Sequence, residues 1–453
     1  MPTDPTRPDY PSITDPARPR WHFHPPAGWM NDPNGIFQHD GWWHLFYQHN
    51  PGGDTWADMH WGHARSRDLL HWEHLPIALR PQTAHGELHC YSGCCVPDAA
   101  GGPHILYTSV PPPPGLATQV LAVPQDAACT TWTQHVTNPV LDLATHDGPA
   151  FDGDWRDPYV FHAAGRTFLI LGARLGDDSV VALYENPDGN LRSWTYRGVL
   201  LRAPVSRVTF YECPSIVPCG DRWILFVSPC AEMEWHVGRF DPDTGRFAPE
   251  RSGLFDAGHN YYATQAKLAP DGRILAFGWV RGFASGRGWN GCLGAIREVR
   301  LDDTGTVCST PLAELTALQS HATPLPAATL GPEPLRLPLA QPDSSRGVVS
   351  FNPQPGAVLW LELAGAVVRI DDAGVHFDDR PVLPLAHNGH LRCEWLLDRS
   401  VLEWFVNERA CCTQIVTHPT PPTLALRAEG DVRLETGCTW TMSPTPATAL
   451  SAS

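Results

Sequence analysis

Hydrophobic residues in this chain come in short runs broken by Gly, Pro and Asp, and a sustained 3.6-residue period is nearly absent, which predicts an all-β protein. One unit recurs: a strand, a tight polar turn and a second, more hydrophobic strand. It appears as GIFQHDG-WWHLFY (35–47), CCVPDAAGG-PHILYTSV (94–110), YVFHAAG-RTFLILG (159–172), SIVPCGD-RWILFVSP (215–229) and AKLAPDG-RILAFGWV (266–280). The second strands begin near 42, 103, 166, 222 and 273, a spacing of roughly 50–60 residues that suits four-stranded blades. Five copies predict a five-bladed β-propeller over residues 21–310.

Residues 311–345 turn rich in Pro, Ala, Leu and Ser and read as a linker with one short helix near Pro311–Gln319. Beyond it, AVLWLELA, AVVRIDD, GVHFDD, LRCEWLLD, SVLEWFVN and DVRLETG alternate apolar and polar positions between closely spaced turns, which predicts a C-terminal β-sandwich over 346–445. Residues 1–20 read as a disordered lead-in and 446–453 as a tail.

Charge then removes whole classes of partner. The 453-residue chain has 32 basic and 48 acidic residues and a net charge of −16, a field that repels phosphate backbones and anionic headgroups, so neither nucleic acid nor a membrane is an expected partner. No apolar run is long enough for a membrane span, and Met1–Arg20 lacks the apolar core of a secretory signal. The 13 cysteines are odd in number and include the adjacent pairs Cys94-Cys95 and Cys411-Cys412, which fits reduced thiols and a cytoplasmic location. No CxxC pair occurs, and His60-Trp-Gly-His63 and His71-Trp-Glu-His74 lack metalloprotease order, so no metal is expected. The 18 tryptophans and 22 histidines suit either an aromatic core or a sugar-stacking surface.

The repeat indicates where chemistry would gather. Asp32, Ser92, Asp157, Glu212 and Tyr262 stand just ahead of or at the start of the first strands, and radial blades would bring them to one end of a central channel. In Gly28-Trp-Met-Asn-Asp-Pro-Asn-Gly35, amide donors beside Asp32 are expected to keep it ionised and nucleophilic. In Phe210-Tyr-Glu-Cys-Pro214, apolar neighbours and other carboxylates are expected to raise Glu212 into the range of a general acid. At Trp155-Arg-Asp-Pro158, Arg156 is expected to hold Asp157 ionised, ready to grip sugar hydroxyls as positive charge develops. Gln48, Trp56, Trp61, Ser92, Tyr262, Trp279 and Trp289 add amides, hydroxyls and stacking faces. An acid/base carboxyl with a nucleophilic one is the equipment of a retaining glycosidase.

The motifs WMNDPNG (29–35), YQHNP (47–51), HWGHARSRDLLHWEHLPIAL (60–79), WRDP (155–158), ECP (212–214), YYATQ (261–265), GWV (278–280) and LEWFVN (402–407) resemble glycoside hydrolase family 32, the β-fructofuranosidases and related fructosyltransferases. The resemblance implies a five-bladed propeller with a β-sandwich, hydrolysis through a fructosyl-enzyme, and no cofactor. It implies Asp32 as nucleophile, Asp157 as transition-state stabiliser and Glu212 as acid/base, with Asn31, Gln48, Trp56, Ser92, Arg156 and Tyr262 around the fructose. The expected substrates are sucrose and short fructo-oligosaccharides. A fructosyltransferase, a sugar-binding protein without catalysis, and a related glycosidase acting on arabinose or galactose units are the alternatives. The chain departs from the family pattern at Ser92-Gly-Cys-Cys95, at Trp155 and at Ile296-Arg-Glu298, departures expected to lie beside the catalytic carboxylates.

Overall fold

A computed structural model describes residues 13–339, 341–380, 382–385, 389–417 and 421–445. Among them the regular structure is β throughout, save two short 3₁₀ turns at Thr83–His85 and Ala313–Leu318. No helix among the described residues is long and apolar enough to cross a membrane. The chain first forms five sheets of four or five mainly antiparallel strands in succession, then one of seven strands and one of five.

The first strand of each of the five sheets is β1 (Gly28–His39), β2 (His89–Pro97), β3 (Trp155–Ala163), β4 (Glu212–Cys219) and β5 (Tyr261–Leu268). Each touches the next, and β5 returns to β1, so the five first strands form a closed ring. The ring is also stitched by Trp289–Asn290, which pairs in parallel with Gly28 and Trp29. The second strands are the apolar runs of the repeat: Ile274–Val280 is buried at every position, and Trp42–Asn50 at all but its first. Burial on both faces explains why they read as continuous hydrophobic stretches. Asp40-Gly41 and Ala164-Gly165 close two hairpins with positive φ at both residues, the turn that matches strand twist.

The last two sheets share one apolar core, to which Phe351, Leu361, Trp395, Trp404 and Leu426 contribute. The segment expected to be a linker belongs to this unit: Gln319–Leu325 pairs with Val432–Met442, and Leu335–Pro338 pairs with Thr423–Glu429. The expected short helix is present as the 3₁₀ turn Ala313–Leu318. Residues 13–20, expected to be disordered, are tied down: Asp15 accepts the Trp289 indole N–H, Ser400 donates to Ala17 O, and the Arg20 N–H donates to Asp398. The rest of the expected lead-in, 1–12, and the tail 446–453 lie outside the described residues.

A buried polar seam joins the five-sheet ring to the two-sheet unit. Arg297 donates to Asp256 at 2.6 Å, Glu403 at 3.0 Å and Thr413 at 2.9 Å, while His22 bridges Asp398 at 2.9 Å and Glu403 at 3.0 Å. Ile296-Arg297, expected beside the catalytic carboxylates, therefore sits at this seam.

Candidate active site

All five strands of the ring carry a β-bulge at the same height, where two residues face one on the partner strand: Asn31-Asp32, Tyr91-Ser92, Asp157-Pro158, Cys213-Pro214 and Ala263-Thr264. A bulge re-aims side chains and ends regular pairing, which suits the rim of a site. Three of the leading residues, Asp157, Cys213 and Ala263, take positive φ of 67°, 46° and 52°, a conformation that costs any side chain with a Cβ. The register also refines the expected symmetry. Asp32 and Ser92 occupy the second bulge position, Asp157 the first, and Glu212 and Tyr262 the residue before the bulge. The carboxylates meet at one cavity from three successive backbone positions rather than from one.

That cavity has a volume of about 600 Å³ and is lined by Asn31, Asp32, Gln48, Trp56, Arg156, Asp157, Glu212, Tyr262 and Trp279 among others. Asp32 Oδ2 accepts from Ser92 Oγ at 2.6 Å, Gln48 Nε2 at 3.0 Å and the Cys213 thiol at 3.3 Å. Its Oδ1 accepts from Asn31 Nδ2 at 3.2 Å, and the Trp29 indole, donating to Asn31 Oδ1 at 2.8 Å, fixes which way that amide faces. Asp157 Oδ2 accepts the Cys213 N–H at 3.0 Å, so Cys213 ties Asp32 to Asp157. Thr108 Oγ1 accepts the Asp157 N–H at 3.0 Å. Glu212 Oε1 accepts from Arg156 at 3.0 Å and Oε2 from the Tyr262 hydroxyl at 2.6 Å.

Electrostatics depart from the sequence expectation at both aspartates. Burial pushes Asp32 above the usual carboxylate range, and the charge of Glu212 adds to the shift; bonds from Ser92, Cys213 and Asn31 oppose it without reversing it. Burial likewise pushes Asp157 up to about 7, against the pull of Arg156 and with the help of Asp32 and Glu212. Arg156 does not hold Asp157 as expected, because its terminal nitrogens are spent on Asp154 and Glu212, at 3.0 Å each, and its Nε is 4.0 Å from Asp157.

Three other expectations change. Ser92, only 2% exposed, stands behind Asp32 as its hydrogen-bond donor and does not line the cavity. Trp61 and Trp289 are core residues, bonded to Tyr91 O and Asp15. Cys94 and Cys95 point into the core, where Cys94 receives the Val160 N–H. The sequence reading missed Tyr91, Thr108, Asp154 and Arg281 on the cavity wall. Thr108 was within reach: it lies opposite the second bulge as Gln48 lies opposite the first.

Residues 22–311 match the Glycosyl hydrolases family 32 N-terminal domain. The chain belongs to glycosyl hydrolase family 32. Within family 32 it is 30% identical over 462 residues to the sucrose-6-phosphate hydrolase of Escherichia coli, covering 93% of this chain and 94% of that one. It is 32% identical over 338 residues to the raffinose invertase of Escherichia coli, covering 68% and 67%. The crystal structure of fructan 1-exohydrolase IIa from Cichorium intybus superposes with a TM-score of 0.82 at 21% identity, over 95% of this chain and 98% of that one, a likeness of fold. As a family 32 member the protein is a glycoside hydrolase.

Proposed function

We propose that the protein is a retaining β-fructofuranosidase that releases terminal non-reducing fructose from sucrose and short fructo-oligosaccharides. In this reading the five successive sheets are the blades of a five-bladed β-propeller, and the last two form a β-sandwich. The observation that carries it is the convergence of Asp32, Asp157 and Glu212 on one cavity, with Cys213 between the aspartates and Arg156 on Glu212.

Asp32 attacks the anomeric C2 while Glu212 protonates the departing glycosidic oxygen, leaving a fructosyl ester on Asp32. Glu212, now a carboxylate, takes a proton from water; that water attacks C2, the ester breaks, and fructose leaves with retention. Asp157 accepts hydrogen bonds from sugar hydroxyls that strengthen as the ring gains positive charge. Asn31, Gln48, Arg156 and Tyr262 border the fructose, Trp56 and Trp279 offer stacking faces, and Ser92 orients Asp32 from behind. Unpaired thiols, 13 in all, suit a reducing compartment, and we place the enzyme in the cytoplasm.

Replacing the nucleophile tests this directly. Asp32→Asn, folded by circular dichroism, is expected to lose sucrose and kestose hydrolysis by at least about 1,000-fold. Undiminished hydrolysis would sink the assignment, and trisaccharide in excess of free fructose at high sucrose would make the enzyme a fructosyltransferase. Because burial raises Asp32, the acid limb of activity should lie above that of an exposed carboxylate, which a pH profile of kcat/KM reads.

A further inference from the structure

Glu212 must hold a proton in one half of the proposed cycle and lack it in the other, so donors frozen around it would suit one half only. Its Oε1 faces Arg156, a group that only donates. Its Oε2 faces two groups whose hydrogens rotate. The Tyr262 hydroxyl lies 2.6 Å from Oε2 and 3.2 Å from Ser228 O. The Cys230 thiol lies 3.6 Å from Oε2 and 3.6 Å from Phe210 O, and the Cys230 N–H donates to Tyr262 Oη at 2.9 Å. Each rotor therefore has a backbone carbonyl to turn to when Glu212 carries its own proton, and its oxygen or sulfur is then free to accept.

The backbone adds a second observation. Cys230 is exposed and has a φ of 59°, in the left-handed region where glycine would be unstrained. A strained, thiol-bearing residue stands where the chain geometry favours none, and its sulfur lies against Glu212.

We propose that Cys230 is a positioning residue for Glu212: with Tyr262 it forms a pair of swivelling donors that turn to Oε2 when Glu212 is a carboxylate and to the Phe210 and Ser228 carbonyls when it is protonated. The proposal rests on the acid/base role given to Glu212 above. Partial desolvation of the sulfur where it lies against Glu212, reinforced by the charge of that carboxylate, holds the Cys230 thiol above its ordinary range although the residue as a whole is exposed, so it remains a donor through neutral pH. The other charged and titratable groups around Glu212 are Arg156, Asp32, Asp157, Tyr91 and Cys213, with Arg281 stacked on the Tyr262 ring at 3.8 Å.

The test is the pH profile of kcat/KM on sucrose for wild type, Cys230→Ala, Cys230→Gly, Cys230→Ser and Glu212→Gln, with Tm measured alongside. Cys230→Ala removes a donor to the carboxylate form, so the alkaline limb is expected to move up by roughly half a pH unit. Cys230→Gly should move the limb equally while raising Tm, and Cys230→Ser should return it toward wild type. Alanine and glycine variants that keep the wild-type limb, with only Tm altered, would overturn the proposal. Should Glu212→Gln retain wild-type activity and limb, the acid/base reading itself fails. An inactive Glu212→Gln beside an unmoved alanine limb leaves that reading intact and removes Cys230 alone.

Discussion

The cavity and the seam each gather three carboxylates, and desolvation leaves Asp32 and Asp157 of the one and Asp398 and Glu403 of the other in opposite conditions. At the seam, Asp398 and Glu403 are held below the usual range although desolvation, the largest influence on each, raises them. In the cavity, the same desolvation pushes Asp32 and Asp157 up. The difference lies in who donates. Asp398 accepts the backbone N–H groups of Arg20, Trp21 and His22, Glu403 that of Ala295, and Asp256 those of Gly258 and Thr413, with His22 and Arg297 added as cations. In the cavity Arg156 bonds Glu212, is shared with Asp154 and comes only to 4.0 Å of Asp157; Asp157 has one backbone donor, Cys213 N–H, and the donors to Asp32 are neutral side chains. A carboxylate met by cations and backbone N–H groups holds a structure together, whereas one met by neutral side chains at a cavity wall stays costly to ionise and keeps acceptor capacity for a sugar's hydroxyls.

The comparison breaks most sharply if one seam cation is removed. Arg297→Met leaves Asp256 and Glu403 buried without their guanidinium, a loss on the order of 3–5 kcal/mol. Chemical denaturation should show it as a large fall in midpoint with an unchanged slope. A midpoint within experimental error of wild type would mean that the backbone donors suffice alone.

A smaller effect, on the order of 2–3 kcal/mol, comes from histidine. His22 is raised to about 9 because its bonds to Asp398 and Glu403 outweigh desolvation, so the stability it contributes is complete below its unfolded value of 6.5 and lost as pH rises through 9. His44 and His49 are held near 4 and His74 near 3, chiefly by burial. The unfolded chain binds their protons first, so stability falls as pH drops below 6.5 toward 4. Asp157, raised to about 7, has the opposite slope across that window, but three histidines outweigh it. Tm should peak near pH 6.5, and His22→Gln should flatten the alkaline side; a peak above pH 8 contradicts this.

Much of the contrast was legible in the sequence on the cavity side and little of it at the seam. The carboxylate motifs are local, so Asp32, Asp157 and Glu212 could be singled out, and the strand repeat placed them at one rim. The bulges were not legible, because a one-residue excess on one strand does not disturb an approximate repeat, and so matched positions were read where the register gives three. Arg156 was assigned to its neighbour Asp157, whereas its bond reaches Glu212, 56 residues away. Arg297 finds Glu403 across 106 residues, a distance that no local pattern encodes. The edge strands at Gln319–Leu325 and Leu335–Pro338 passed for a linker because their prolines, tolerated at sheet edges, are the residues that mark loops.

The smallest expected effect on stability is also the one that separates the two clusters by sign. Asp157 is 5% exposed, and burial makes its charge unfavourable in the folded state above about pH 7. Asn at this position keeps the shape and an oxygen to receive the Cys213 N–H, yet carries no charge. Asp157→Asn is therefore expected to gain about 1–2 kcal/mol at pH 8, with the gain shrinking as pH falls toward 4, where the native aspartate is already protonated. Sucrose hydrolysis should fall by at least about 100-fold, since a neutral amide answers developing positive charge poorly. Asp398→Asn at the seam should destabilise, because it removes the anion that His22 and three backbone N–H groups surround. If both asparagine variants lose stability alike at pH 8, then the cavity carboxylates are as well satisfied as those of the seam, and the division of labour between the two clusters fails.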